Sequence, residues 1–456
     1  MENMSKVDEL VGKARVAQQV IEKCSQREVD SYVQAIGKII YDHAEELARE
    51  AVDETRMGVY EDKVAKNKGK SRTIWNSLKD KKTVGVIQTD TEKALLYVAK
   101  PKGVVGAVTP TTNPIVTPMC NAMFALKGRN AIIVSPHPRA KKCSTHAVQL
   151  MNEALQKLGA PENLIQVIEE PTMELSQELM KVVDVIIATG GMGLVKAAYA
   201  SGKPAYGVGA GNVQTIIDRG YDYDQAAKDI IAGRKFDNGI ICSGEQSIIA
   251  PQDEHAQVMA AFVQNGACYI DKDEDVEKFR QALFPNGTLN GDLVGQSVQI
   301  IAEAAGVAVP EGSKVIILKA RGKGDLDVLC KEKMCPCLIT LTYETFGEAI
   351  DIAKTNLLYE GAGHTAVVHS SNKQHIEEAG VSLPVSRLVV NQPSATGAGG
   401  SFFNGFVPTT TLGCGSWGNN SISENLSYEH LINISRIGYY KKDAQVPTDE
   451  EIWSFQ

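Results

Sequence analysis

The segment FDNGIICSGEQSII places Cys242 between an apolar run and a Ser-Gly pair. Glycines at 239 and 244 let the backbone turn sharply there and approach a ligand closely. A cysteine on such a turn can receive backbone N–H groups, which favour the thiolate, so Cys242 is a candidate nucleophile. The competing reading is a buried structural thiol, because free cysteine is among the most buried residue types. Asn113, in VTPTTNPIVTP, stands after an apolar strand and before a helix. Its amide, or the helix N-terminus that follows, can donate to an oxyanion. The alternative is an ordinary helix start, with Asn113 as N-cap and Pro114 at the first helical position.

Other motifs are weaker. ATGGMG (188–193) follows the apolar run VVDVII and precedes a helix, so its backbone N–H groups can reach a pyrophosphate, although the spacing is not GxGxxG. GVGAGN (207–212) is only GxGxG, and either segment is equally readable as a tight turn. CKEKMCPC (330–337) carries three cysteines, but C-x4-C-x-C without a nearby histidine does not match zinc-ligand spacing, and no metal is expected. Neither HExxH nor a Ser/His/Asp order is evident, and lone histidines such as His137 and His364 read as structural.

These residues need a scaffold. Residues 5–57 read as two helices, with apolar positions every three to four residues. From about residue 81, TVGVIQ, ALLYVAKP and GVVGAVTP read as strands, IVTPMCNAMFALK as a helix, and AIIVSP as a buried strand. The alternation continues through VVDVII, and after Cys242 through QSIIAP, VIILKA, CLITLT, HTAVVHS and RLVVNQ. Strands and helices alternating at this length predict βαβ units, a parallel sheet and an α/β fold. HLINISRIGYY reads as a late strand.

A chain of 456 residues predicts two or three domains. The balance of 47 basic and 55 acidic residues has no Lys/Arg block, so no nucleic-acid partner is expected. Without 18 uninterrupted apolar residues, no membrane span is expected. MENMSKVDELVGKARVAQQV reads as a charged amphipathic helix rather than a signal peptide. Nine scattered cysteines then fit reduced thiols and a cytoplasmic setting.

Five features fall in one order: Asn113, VSPHP (134–138), TGGMG (189–193), Cys242, and Glu332 with Pro336. In that order they resemble the aldehyde dehydrogenase superfamily, over nearly the whole chain. The resemblance implies two Rossmann-like α/β domains plus a small β oligomerisation element. It places a nicotinamide cofactor-binding domain at 1–235, with an oligomerisation hairpin near 82–101, a catalytic domain at 236–420, and a C-terminal return and strand at 421–456. It implies Cys242 as nucleophile and Asn113 as oxyanion donor. Cofactor contacts are implied at Thr109, Pro110, Pro136, His137, Pro138, Arg139, Thr189, Gly190, Gly191, Gly193, Gly209 and Glu332, the last at the nicotinamide ribose.

Hydrolytic members of the superfamily carry a Glu-Leu-Gly-Gly segment whose acid activates water. This chain has GVGAGN there, with Val208 and Gly209 and no acid. A thioester would then outlast water and wait for a thiol, as in the CoA-acylating branch, which MGVYEDKVAKN, EGAGHTA and TLGCGSWGNNSISENLSYEHLINISRI also resemble. That branch implies NADP or NAD, coenzyme A as cosubstrate, a reversible reaction, and a homo-oligomer (dimer or tetramer) formed by strand addition. Within it the resemblance implies succinic semialdehyde as substrate, with acetaldehyde, propionaldehyde and sulfoacetaldehyde as alternatives.

A substrate carboxylate needs a cation or several donors. The candidates are Lys70 and Arg72 in VAKNKGKSRTIW, together with Ser243, Ser394 and Thr396; Lys66 shares a helix face with Lys70 but also a motif with acetaldehyde enzymes. Alternatively these lysines form a solvated face. Arg139, Lys141 and Lys142 would attract the 2′-phosphate of NADP, or else form a solvated basic helix start. Three rival readings are an inactive protein of the same fold, a thiol redox or metal protein using CKEKMCPC, and a hydrolytic dehydrogenase.

Overall fold

The structure is a computed structural model that describes residues 5–455. Four helices open it: α1 (Lys6–Ile21), α2 (Gln26–Asp42), α3 (Ala44–Thr55) and α4 (Tyr60–Leu78). The two helices expected over 5–57 are therefore three. Ser25 and Glu28 form a capping box that starts α2 afresh after Ile21, and His43 separates α2 from α3. The helix expected from the first residues is seen from Lys6, and residues 1–4 lie outside the described residues.

The strands β1 (Gly85–Asp90) and β2 (Leu95–Pro101) form an antiparallel hairpin. Next come β3 (Val104–Thr109), β4 (Ala131–Pro136), β5 (Ile165–Val167), β6 (Val185–Thr189) and β7 (Ala205–Val208). They pair in parallel in the order β5-β4-β3-β6-β7. Every residue of β3 and β4 is buried, as parallel sheets covered on both faces require, which is why these strands read as unbroken apolar runs.

A second parallel sheet follows from β8 (Gln214–Ile217), β9 (Ser247–Pro251), β10 (Ala267–Ile270), β11 (Val315–Lys319), β12 (Cys337–Tyr343), β13 (Gly363–His369) and β14 (Val385–Val390). Its order is β10-β11-β12-β9-β8-β13-β14. The chain crosses from one sheet to the other between Val208 and Gln214. The boundary drawn at 235 from sequence thus moves upstream, because β8 pairs with β13 and β9 of the second sheet.

β15 (Ile432–Gly438) returns to pair antiparallel with β2, from Ile432 opposite Pro101 to Gly438 opposite Leu95. Asn130 locks this junction. Its side-chain oxygen accepts from the N–H of Lys102 (2.7 Å) and Gly103 (3.0 Å), and its amide donates to the Leu431 carbonyl at 2.8 Å. No helix among the described residues is long and apolar enough to cross a membrane.

Candidate active site

Cys242 lies just before β9, beyond a short turn at Phe236–Gly239. Asp237 (φ 51°), Asn238 (φ 51°) and Gly239 (φ 69°) are all left-handed, a conformation that costs a side-chain-bearing residue about 1–2 kcal/mol. Sequence reading singled out Gly239 alone. The turn is held by a buried network. The Asp237 carboxylate accepts from the Val59 N–H (2.9 Å), Lys63 Nζ (3.1 Å) and Lys66 Nζ (2.6 Å). Its own N–H donates to the Asp62 carboxylate at 2.8 Å, and the Asn238 amide donates to the Gly295 carbonyl at 3.0 Å.

A cavity of about 240 Å³ opens beside Cys242. Cys242, Ser243, Asn113, Lys66, Lys70 and Thr396 all line it, with Phe236, Ile241 and Leu412 supplying apolar wall. Asn113 comes from the loop between β3 and helix α5 (Val116–Lys127). It is not the N-cap: Ile115 holds that position, without a side-chain cap. Among the described residues the Asn113 amide makes a single 3.5 Å contact, to Thr112 Oγ1, which leaves it available to an oxyanion in the cavity.

Two of the proposed substrate residues stand elsewhere. Arg72 is exposed, its guanidinium 5.9 Å from the Phe402 ring. Ser394 is buried outside the cavity lining, its N–H donating to the Glu245 carboxylate at 2.6 Å.

Burial pushes the Cys242 thiol up to about 12, and Glu332 and Cys414 add to that; the Arg387 charge and the backbone N–H of Cys242 act in the opposite sense but do not prevail. Burial thus works against the thiolate that backbone donors would favour. Cys242 is half-buried and packs against the apolar cluster of Val213, Val367, Val389 and Leu412. Burial likewise raises Glu332 to about 8, helped by Glu360 and opposed by Arg234 and the Gly211 N–H. Lys70 is lowered to about 8 by burial. Its Nζ donates to the carbonyls of Gly399 (2.7 Å) and Thr409 (3.1 Å), and among the described residues no carboxylate pairs with it.

Sequence reasoning missed the Lys63–Asp237–Lys66 network and Arg387. The buried Arg387 guanidinium donates to the carbonyls of His364 and Gly413 (2.7 Å each) and to Asn425 Oδ1 (3.1 Å). A polar pair inside the apolar approach to Cys242 (Asp237-Asn238) and a lone arginine inside the run VSRLVV were the available signals. The CKEKMCPC cysteines are buried in the core, with Cys335 lying under Gly239: a Cβ there would come 2.6 Å from the Cys335 carbonyl.

The expected cofactor residues stand at the ends of β3, β4 and β6. Thr109 is buried, and its hydroxyl has no hydrogen-bond partner among the described residues; Pro110 follows it. Pro136 ends β4, and His137, Pro138 and Arg139 are exposed beyond it, with His137 Nδ1 accepting from the Arg139 N–H at 3.1 Å. Thr189 leads into Gly190, Gly191 and the helix Met192–Ala200, which includes Gly193 and starts without a side-chain cap. Its first N–H groups are thus open to an anion. Gly209 lies in the loop that passes Cys242. An orphan hydroxyl, exposed strand ends and an uncapped helix fit an extended dinucleotide. The basic cluster is of mixed sign: Lys141 pairs with Glu170, and Lys142 shares a cavity of about 280 Å³ with Glu169.

Beside its two parallel α/β sheets the chain thus carries one cavity shared by a cysteine, Cys242, and an amide donor, Asn113. Residues 2–275 match the aldehyde dehydrogenase family, and the chain belongs to it, an oxidoreductase that acts on aldehydes. The chain is 65% identical over 453 residues to a succinate-semialdehyde dehydrogenase (acetylating) of Clostridium kluyveri, covering 99% of this chain and 100% of that one. Among solved structures it is similar to an acetylating aldehyde dehydrogenase from Geobacillus thermoglucosidasius (TM-score 0.93, 38% identity, 97% of this chain and 98% of that one). It is also similar to a Rhodopseudomonas palustris propionaldehyde dehydrogenase with bound propionyl-CoA (TM-score 0.86, 31% identity, 96% and 94%).

Proposed function

We propose that this chain is a CoA-acylating succinate-semialdehyde dehydrogenase, interconverting succinic semialdehyde and CoA with succinyl-CoA through a thioester on Cys242. The observation that carries this is the loop 207–212. Gly211 lies directly against the Cys242 carbonyl, and Val208, Gly209 and Ala210 supply no acid to activate water. The identity to the acetylating Clostridium kluyveri enzyme and the likeness to a fold that carries propionyl-CoA support the reading.

Cys242 first gives up its proton to solvent; attack of the thiolate on the aldehyde carbon then breaks the carbonyl π bond and puts negative charge on the oxygen, where Asn113 and the Cys242 N–H can donate. A nicotinamide dinucleotide, NADP or NAD, supplies the hydride acceptor when bound. Thr109, Pro136–Arg139, Thr189–Gly193 and Glu332 are the residues that would hold it. The thiol of CoA then displaces Cys242 from the acyl group. One thioester replaces another, so the exchange is nearly balanced and the reaction runs both ways. The far carboxylate of the substrate is received by Lys70, a half-buried amine with no carboxylate partner among the described residues, with Ser243 and Thr396 as donors on the same cavity. The exposed β1 and β15 edges, bearing Val86, Ile434 and Ile437, suit pairing between copies in a homo-oligomer.

A CoA-dependent assay over a panel of aldehydes with both nicotinamides tests the reading. Without CoA, about one equivalent of reduced nicotinamide per site should form and then stop. Release of free succinate at full rate without CoA would make the enzyme hydrolytic.

A further inference from the structure

Lys66 touches both halves of the reaction centre. Its Nζ is 2.6 Å from the Asp237 carboxylate, in the left-handed turn five residues before Cys242, and 3.4 Å from the carbonyl of Thr112, the residue before Asn113. The same side chain lines the cavity between Cys242 and Asn113. A second, small cavity of about 10 Å³ is bounded by Lys63, Lys66, Asn67 and Asn113, so the oxyanion loop backs onto the same pair of lysines. The attachment leaves little slack. A Cβ on Gly58 would fall 1.9 Å from Asp237 Oδ1, and Asp237 has no exposed surface.

We infer that Lys66 is a positioning residue that sets the distance between the Cys242 sulfur and the Asn113 amide by bridging the Asp237 turn to the Thr112 carbonyl. Fold maintenance alone does not need it in this place. Asp237 retains Lys63 and the Val59 N–H as partners, and Lys63 is the more buried of the two lysines. What Lys66 adds is the link across to the oxyanion loop. A nucleophile and an oxyanion donor held on separate elements must be in register to well under an ångström, because a displacement of about 1 Å is enough to cost about 100-fold in rate.

The inference rests on Cys242 as nucleophile, which Cys242→Ala checks separately by abolishing the burst. The test is the pre-steady-state burst of Lys66→Met without CoA, measured with succinic semialdehyde and with butyraldehyde, a neutral aldehyde of the same length. A positioning role predicts a burst rate constant lower by about 100-fold for both aldehydes, with KM changed by less than about threefold. A loss confined to succinic semialdehyde would make Lys66 a substrate ligand and overturn the inference, as would burst rates near wild type. Lys66→Arg keeps the ion pair and serves if Lys66→Met folds poorly. It should retain at least about a tenth of the wild-type burst, and a deeper loss would count against the bridge.

Discussion

A Cβ atom on Gly211 would stand 1.9 Å from the carbonyl oxygen of Cys242 and 2.7 Å from its carbonyl carbon. The obstructing atoms are backbone, so no side-chain rotation can relieve the overlap. Gly211→Ala should displace Cys242, disturb the Gly211 N–H that meets Glu332 and lower kcat by about 100-fold, while contacts to the adenosine end at the remote ends of β3 and β4 change little. Steady-state kinetics alongside nicotinamide titration checks this; an active Gly211→Ala enzyme would show that the loop moves freely.

The two raised acids beside each other make a pH signature. The Cys242 thiol, pushed to about 12, should alkylate slowly at neutral pH and faster as pH rises. Glu332, at about 8, is neutral below that pH and an anion above it, where its charge further disfavours the thiolate. Glu332→Gln should therefore leave Cys242 labelling unchanged at pH 7 and accelerate it at pH 9, in the absence of cofactor. Peptide-level mass spectrometry after iodoacetamide treatment reads both. Equal rates at pH 9 would remove Glu332 from the electrostatics of the thiol.

Lys70 should govern the choice between charged and neutral aldehydes. Losing a charge-assisted contact costs about 1.5–3 kcal/mol, so Lys70→Met should lower kcat/KM for succinic semialdehyde by about 10- to 100-fold and spare butyraldehyde. Because Lys70 is lowered to about 8, its charge is present below that pH and lost above it. The preference for the acid should fade in the same direction. An unchanged preference in Lys70→Met would place the carboxylate at Ser243 or Thr396.

On the cofactor side, Lys141 is already paired with Glu170, which leaves Arg139 and Lys142 to meet a 2′-phosphate. Replacing both with alanine should weaken NADP relative to NAD by about tenfold. Selectivity for NAD that survives the change would mean that the ribose is read elsewhere.

Residues with a chemical type and a local setting were legible in the sequence. Cys242, Asn113, Ser243, Thr396 and Lys70 fall on one cavity. Asp237 and Lys63 were not, since a buried pair formed across 174 residues leaves no local period to read. Ser394 and Thr396 share one short helix, Ser394–Gly397, and only the structure shows that Thr396 faces the cavity while Ser394 is buried behind it. The domain crossing was misplaced for a related reason. GVGAGN carries the chain between sheets in a handful of residues, without a linker's change of composition.

The pairing of β15 with β2 has a consequence for biosynthesis. The amide of Asn433 donates to the carbonyl of Pro101 across 332 residues, so one side of the hairpin lies open until that further stretch has been made. At about 5–20 residues per second, that interval lasts roughly 17 to 66 seconds on the ribosome. Long-range pairing of this kind is slow to form, and an unpartnered strand invites association with neighbouring nascent chains. Lys100 on β2 and Lys102 just beyond it place charge beside that open edge, a feature that discourages premature partners while β15 is awaited.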